Sequence, residues 1–278
     1  MSIRSDFHLH SSFSGDSEAD MEEMIKKAVS LGLKDIAFTE HMDLDFPVTN
    51  ECPEGYFECN VDSYLYHLLS VRNKYINDVN VRFGLELGLQ PETNRKNVKV
   101  VKDHDFDFVI GSIHVVDGMD IYDPVYFEGR SDEEAYRRYF EAVYENLRSY
   151  SNFDVVGHLD YVVRKGKTLD ADYSYAKYSD ILDKILKRII DLEKGIEVNT
   201  AAIKYGLKEL NPCTDILKRY RELGGELITV GSDAHTVEEV GRGLDRAREV
   251  LEEAGFEYYT VYDARIPVQV KQIGRVHV

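Results

Sequence analysis

Two residue types, histidine and carboxylate, carry the chemistry of this sequence. His8, His10, His41, His114, His158 and His235 each fall at or just past the C-terminal end of a predicted β-strand, six of the chain's nine histidines. The others sit elsewhere: His67 in mid-helix, His104 in a charged loop, His277 in the tail. His8 and His10 are two apart on a strand, so both side chains point the same way. Asp233 and His235 repeat that spacing near the other end of the chain. Asp16 follows the first strand, and Glu86 lies inside the third. Six imidazoles and three carboxylates are more donors than one ion can use. At four to six ligands per ion, with a carboxylate bridging, they imply two or three divalent cations. A thiolate-free donor set favours zinc, manganese or iron.

Short apolar runs alternate with amphipathic helices along the chain. Strands are predicted at Ile3–His10, Asp35–His41, Val81–Leu89, Phe106–Val116, Asp154–Val163, Gly195–Thr200 and Leu227–Asp233, with a last short one in Tyr258–Tyr262. Helical spacing marks Glu18–Leu31, Val61–Ile76, Glu92–Lys102, Asp132–Tyr150, Tyr173–Leu192, Cys213–Leu223 and Val237–Ala254. Repeated βα units imply parallel strands with helices outside. The fold class is therefore α/β, and seven units suit a closed or distorted barrel better than two domains. The alternative, a doubly wound open sheet, often carries a glycine-rich phosphate loop after its first strand, and none is present here. In parallel α/β barrels the strand C-termini build the active site. A barrel would also bring the His8/His10 and Asp233/His235 pairs side by side. The loop Asp43–Asn60 is the longest irregular stretch and a candidate cover for such a site. The tail Ile266–Val278 alternates apolar and polar residues without a clear place.

Composition narrows the function. The 278 residues carry 34 basic and 51 acidic side chains, a net charge of −17. The phosphate backbone would repel such a chain, which excludes general nucleic-acid affinity. An anionic substrate would need a local positive centre, which bound cations would supply. No apolar run approaches a membrane span, and no signal-peptide core is present, so no membrane partner is expected. Cys52, Cys59 and Cys213 are odd in number and lack metal-type spacing. That pattern argues against a disulfide framework and fits a reducing cytoplasm. With 43% hydrophobic and 11% aromatic residues, a core is expected and disorder is not. No linker interrupts the chain, so residues 1–278 read as one domain. Nothing in the pattern specifies an oligomeric state.

The stretch Asp6-Phe7-His8-Leu9-His10-Ser11-Ser12-Phe13-Ser14-Gly15-Asp16-Ser17 resembles the opening motif of the PHP family (polymerase and histidinol phosphatase). Thr39-Glu40-His41, Gly84-Leu85-Glu86, Gly111-Ser112-Ile113-His114, Gly157-His158-Leu159-Asp160 and Gly231-Ser232-Asp233-Ala234-His235 resemble its later motifs, in order. The match spans roughly residues 3–235 and is closest to the histidinol-phosphate phosphatase branch. It implies a distorted seven-stranded (β/α) barrel with three metals at the strand C-termini. It also implies an allocation: His8, His10, Glu86 and Asp233 on one metal, Glu86 bridging to a second held by His114 and His158, and Asp16, His41 and His235 on the third. Arg164 resembles the family's phosphate-contacting arginine, with Lys165 and Lys167 as rival cations.

The implied activity is hydrolysis of a small phosphate monoester, L-histidinol phosphate in histidine biosynthesis, by hydroxide held between two metals. Glu86, Asp233, His235 and Arg164 are the expected catalytic residues. The third metal and Arg164 would neutralise phosphoryl oxygens. Asp233 and His235 are the nearest candidates for general acid, but both would be metal ligands, which leaves that role open. Three further residues are candidate substrate contacts, each with a plainer alternative. Asp160 either orients a histidine or sits in a turn. Glu197 and Asn199 either line the pocket or fill polar barrel layers. Asp16 could instead cap the following helix, for which Ser17 is the better cap. Glu40 is expected to point away from His41 and act structurally. The other functional readings are another PHP-type phosphoesterase, a non-catalytic PHP-like scaffold, and an amide or lactone hydrolase. The full ligand set argues against the scaffold. The absence of a mid-barrel bridging lysine argues against the hydrolase.

Overall fold

A computed structural model describes residues 3–271. Seven strands form one sheet: β1 (Ser5–Leu9), β2 (Asp35–Met42), β3 (Asn80–Gly88), β4 (Phe108–Ser112), β7 (Val155–Val156), β8 (Gly195–Asn199) and β9 (Ile228–Gly231). They are hydrogen-bonded in that order, every pair parallel. Two small hairpins complete the strands: β5 (Val115–Val116) with β6 (Met119–Asp120), and β10 (Tyr258–Asp263) with β11 (Ile266–Lys271). The result is a distorted seven-stranded (β/α) barrel.

The barrel closes between β1 and β9 through few bonds. The His10 amide donates to the Ala234 carbonyl at 2.9 Å, and the Ala234 amide to that of His8 at 3.3 Å. Asp6 clamps the same seam. Its Oδ1 accepts from the Ser232 amide at 2.8 Å, and its Oδ2 from the Ser232 hydroxyl at 2.6 Å and the Gly241 amide at 2.8 Å. Burial pushes the Asp6 carboxyl up to about 6, and these hydrogen bonds oppose the rise. Asp6→Ala strips three donors of their partner in a buried place. We expect it to cost about 3 kcal/mol of unfolding free energy, read by denaturant titration.

Each helix shields the sheet with an apolar face. In α5 (Tyr175–Asp191) that face is Ile181, Leu182, Ile185, Leu186 and Ile189. In α4 (Asp132–Ser149) a Ser131/Glu134 capping box fixes the start. In α1 (Met21–Ser30) the cap is Asp20, not Ser17, and the helix begins three residues later than expected. Ser17 is engaged elsewhere: its hydroxyl lies within hydrogen-bond distance of the His10 and His235 carbonyls, at 3.1 and 2.9 Å.

The remaining helices are α2 (Val61–Arg72), α3 (Asn94–Asp103), α6 (Thr214–Glu222) and α7 (Leu244–Glu253). The helix expected over Val237–Ala254 is broken. A single 3-10 turn at Val237–Glu239 precedes α7, because Gly241 and Gly243 adopt φ of 71° and 75°, outside the helical range. The fifth strand is also shorter than expected. Its C-terminal half becomes a 3-10 turn, Tyr161–Arg164, tied down by Asp160 bonds to Asn211 and the Cys213 amide. Residues 266–271 of the tail form β11; residues 272–278, including His277, lie outside the described part.

The N-terminal end of the barrel is closed by sequence-distant packing. At the N-terminal end β10 crosses beneath the strands, and Ile228 N donates to Thr260 Oγ at 3.0 Å. Phe7 meets Phe108 edge-on at 5.2 Å, and Phe108 meets Tyr262 at 5.0 Å. This apolar plug fills the lower interior. Just above it β1 changes register against β2 between Asp6 and Leu9. That bulge lets Phe7 join the plug while His8 still turns inward. Among the described residues, no helix is long and apolar enough to cross a membrane, and all three cysteines are free.

Candidate functional site

The strand C-termini surround a cavity of about 300 Å³. Asp16, His41, Glu86, His114, His158, Asp233 and His235 line it, with Arg164 among them. His8 and His10 are fully buried beneath it. All nine predicted donors therefore converge. Glu86 is at the centre. Its Oε2 lies 3.2 Å from His8 Nε2, 3.4 Å from His10 Nε2 and 3.1 Å from His41 Nδ1. Its Oε1 lies 2.9 Å from His158 Nε2 and 3.4 Å from His114 Nε2. Asp233 Oδ1 is 3.8 and 3.7 Å from the Nε2 atoms of His8 and His10. At the rim Asp16 Oδ2 is 3.2 Å from His235 Nε2 and 3.6 Å from His41 Nε2. Two donors on one tetrahedral cation stand about 3.4 Å apart, given bonds of about 2.1 Å, so these spacings fit shared ions.

The far sides of the rings explain why the near sides are free. His8 Nδ1 donates to Glu197 at 2.6 Å, and His114 Nδ1 to Asp43 at 2.7 Å. His10 Nδ1 donates to Ser14 Oγ at 3.0 Å, and Ser14 passes its own proton to Glu40 at 2.6 Å. His235 Nδ1 donates to the Asp233 carbonyl at 3.0 Å. Each bond selects the tautomer whose Nε2 lone pair faces the cluster, as metal-ligating histidines require. His8 Nε2, His10 Nε2 and Glu86 Oε2 are buried without any hydrogen-bond partner. Unpaired buried polar atoms are costly, so a convergent set of them fits bound cations. Four overlapping donor triads arise: His8–His10–Asp233, His8–Glu86–His158, His10–His41–His235 and His41–Asp43–His114.

The electrostatics agree. Burial opposes ionisation of Glu86, but His8, His114 and His41 outweigh it and hold the carboxyl well below its usual range. Asp233 is likewise held down against burial, by His8 and Arg164. Burial and its neighbours His41 and His235 keep His10 neutral. His8 and His41 are also desolvated, yet adjacent carboxylates draw both well above the ordinary value. The cluster therefore has surplus negative charge that attracts protons where cations would serve.

Local backbone features make this crowding possible. Asp233 has φ of 54°, the left-handed region, a strained backbone that tight sites retain. A Cβ on Gly231 would collide with His8 Cβ, and one on Gly88 with the Asp43 carboxylate. Glycine at both positions admits a second side chain.

Several expectations change here. Asp160, Glu197 and Asn199 are not among the residues lining the cavity, so the expected substrate contacts are corrected to supports behind its wall. Their polar atoms are committed to protein: Glu197 to His8, the His158 amide and Asn199, Asn199 to Arg164, and Asp160 to Asn211 and Cys213. Glu40 does point away from His41, but it is more than structural filler, because it orients His10 through Ser14. Burial raises its carboxyl to about 7. Asp43 was not foreseen at all; it starts the long loop, and no local spacing relates it to His114. Phe46 and Phe57 of that loop line the cavity, as do Tyr122, Tyr161 and Tyr205. Lys204 lines it too, whereas Lys165 lies over the Tyr122 ring at 4.0 Å.

Comparison with known proteins gives the same picture. The PHP domain model matches residues 6–201. The chain is 35% identical to the probable histidinol-phosphatase of Clostridium acetobutylicum, over 89% of this chain and 92% of that one. It is 31% identical to the histidinol-phosphatase of Lactococcus lactis, over 90% and 91%. A crystal structure of the Lactococcus lactis histidinol phosphate phosphatase, complexed with zinc, L-histidinol and phosphate, superposes with a TM-score of 0.85 at 28% identity. That superposition covers 95% of this chain and 98% of the other. Asp233 and His235 lie beyond the span of the family model. The chain belongs to the PHP domain family.

Proposed function

We propose that the protein is a metal-dependent phosphate monoester hydrolase acting on L-histidinol phosphate. One observation carries this reading: buried, unpartnered imidazole and carboxylate atoms converge beside a buried arginine in a cavity sized for a small molecule. The activities of the relatives support the choice of substrate. His8, His10, Asp16, His41, Glu86, His114, His158, Asp233 and His235 would hold two or three divalent cations, zinc, manganese or iron, with Glu86 shared between them. Bound there, such cations polarise phosphoryl oxygens and bring the pKa of water toward neutrality.

The protein's own groups do the rest. Arg164 offers N–H donors to the phosphoryl oxygens. Asp233 and His235 are the two candidates to give the leaving alkoxide its proton. Phe46, Phe57, Tyr122 and Tyr161 wall the cavity with rings and limit bulk water. Asp120, on the cavity wall, supplies a negative group suited to a substrate that carries an amine or imidazolium.

A phosphate-release assay over a panel of monoesters tests the function. Histidinol phosphate should exceed nucleotides and sugar phosphates in kcat/KM; equal rates across the panel would remove the substrate assignment. Metal removal gives a second check. Ligands that bind only the folded state stabilise it. Chelation should therefore abolish turnover and lower the melting temperature, and added divalent metal should restore both. An unchanged melting temperature together with full activity would exclude a resident metal.

A further inference from the structure

We infer that Asn211 is a positioning residue for Arg164, holding its guanidinium in place for the phosphoryl group; the inference rests on the phosphatase reading above. Arg164 is buried yet lines the cavity. Its Nε donates to Asn211 Oδ1 at 2.8 Å, one terminal nitrogen to Asp233 Oδ2 at 3.1 Å, and the other to Asn199 Oδ1 at 2.7 Å. Guanidinium has five N–H donors. These three bonds leave one N–H on each terminal nitrogen uncommitted to them. Asn199 Nδ2 also lies 3.3 Å from Asp233 Oδ2, so the two acceptors are neighbours and the two remaining N–H groups diverge; each can give a phosphoryl oxygen one charge-assisted bond. The rings of Tyr161 and Tyr205 lie 4.9 and 5.1 Å from the guanidinium carbon and restrict its swing.

Asn211, like Asn199, is an anchor behind the cavity wall, and it has no hydrogen bond to a proposed metal ligand. Its own orientation is determined from behind. Its Nδ2 donates to Asp160 Oδ1 at 2.7 Å, and the other Asp160 oxygen accepts the Cys213 amide at 3.0 Å. The backbones of Asn199 and Asn211 exchange two hydrogen bonds, at 2.7 and 3.1 Å. Because Asp160 can only accept when ionised, the Asn211 amide has to present its oxygen to Arg164. Asp160, Asn211 and Arg164 thus form a chain of acceptor, relay and cation. An arginine in open solvent samples many rotamers; here that freedom is removed before substrate arrives. The hydrogen bonds of Asn211 go to Arg164, Asp160 and the Asn199 backbone, none of them a proposed metal ligand. Its loss should therefore leave the metal centre intact.

The experiment uses N211L, close in volume but without polar atoms, and the exchanged pair D160N/N211D, in which donor and acceptor trade places. Inorganic phosphate binding by calorimetry, kcat and KM for histidinol phosphate, and metal per chain are measured for each and for the wild type. N211L should weaken phosphate binding and lower kcat/KM by about ten- to a hundredfold, the scale of a small misplacement of a reacting group, with metal content unchanged. The exchanged pair should recover most of both. N211L binding phosphate within about twofold of wild type would overturn the inference. So would an exchanged pair that folds and keeps its metal yet stays as weak as N211L. If N211L does not fold, the exchanged pair decides alone: near-wild-type phosphate binding supports the relay, and a tenfold loss refutes it. A wild type that binds phosphate but hydrolyses no monoester would fail the function and leave the positioning role standing.

Discussion

Glu86→Ala should abolish turnover, lowering kcat/KM by about a thousandfold or more, and should deplete bound metal. The magnitude follows from position. Removing a single well-placed electrostatic group from an active site costs about a hundred- to a thousandfold. Glu86 meets five imidazoles through its two oxygens, so its loss acts on more than one ion at once. Ser112 also loses the partner of its hydroxyl, a 2.7 Å bond to Glu86 Oε1. Elemental analysis of metal per chain, beside steady-state kinetics, checks both halves. Glu86→Gln separates charge from shape: it keeps the volume, removes the negative charge, and should fail almost as badly. Full metal content with near-normal turnover in either variant would refute a bridging role.

Arg164→Met should lower kcat/KM by about a hundred- to a thousandfold while the metals stay bound. Arg164 is buried against Asp233, and breaking a buried pair from one side leaves an uncompensated charge. That should cost about 3–5 kcal/mol of stability, read by denaturant titration. Bound cations on the other Asp233 oxygen would soften the loss, so the deficit should be larger after chelation. Arg164→Lys should rescue little. A single ammonium cannot bond Asn211, Asn199 and Asp233 in the fork geometry and still face a phosphoryl group. Weak inhibition by inorganic phosphate in Arg164→Met, against strong inhibition in the wild type, would tie the loss to anion binding. Unchanged inhibition would place Arg164 in a purely structural role.

The strand-end histidines were legible because their position depends on local periodicity alone. A histidine at the end of an apolar run in a βα unit reaches the same rim in any such barrel. Glu86 stood out for a similar reason, as a carboxylate in an apolar strand. The groups that hold these ligands were not legible. His8 finds Glu197 across 189 residues, His114 finds Asp43 across 71, and Arg164 finds Asn211 across 47. No spacing rule spans such separations. Asp160, Glu197 and Asn199 illustrate the consequence: their types suggested substrate contact, and packing turned them toward the wall.

By itself, the order of residues determined that a (β/α) barrel would gather nine donors at one mouth, since strand direction and side-chain alternation are local properties. Only the tertiary structure decided which nitrogen of each ring faces the centre. For His8 and His114 that choice depends on Glu197 and Asp43, acceptors that only the closed fold brings to them. The β1 bulge, the left-handed Asp233 and the glycines beside His8 and Asp43 are likewise products of crowding, and crowding exists only once the barrel has closed.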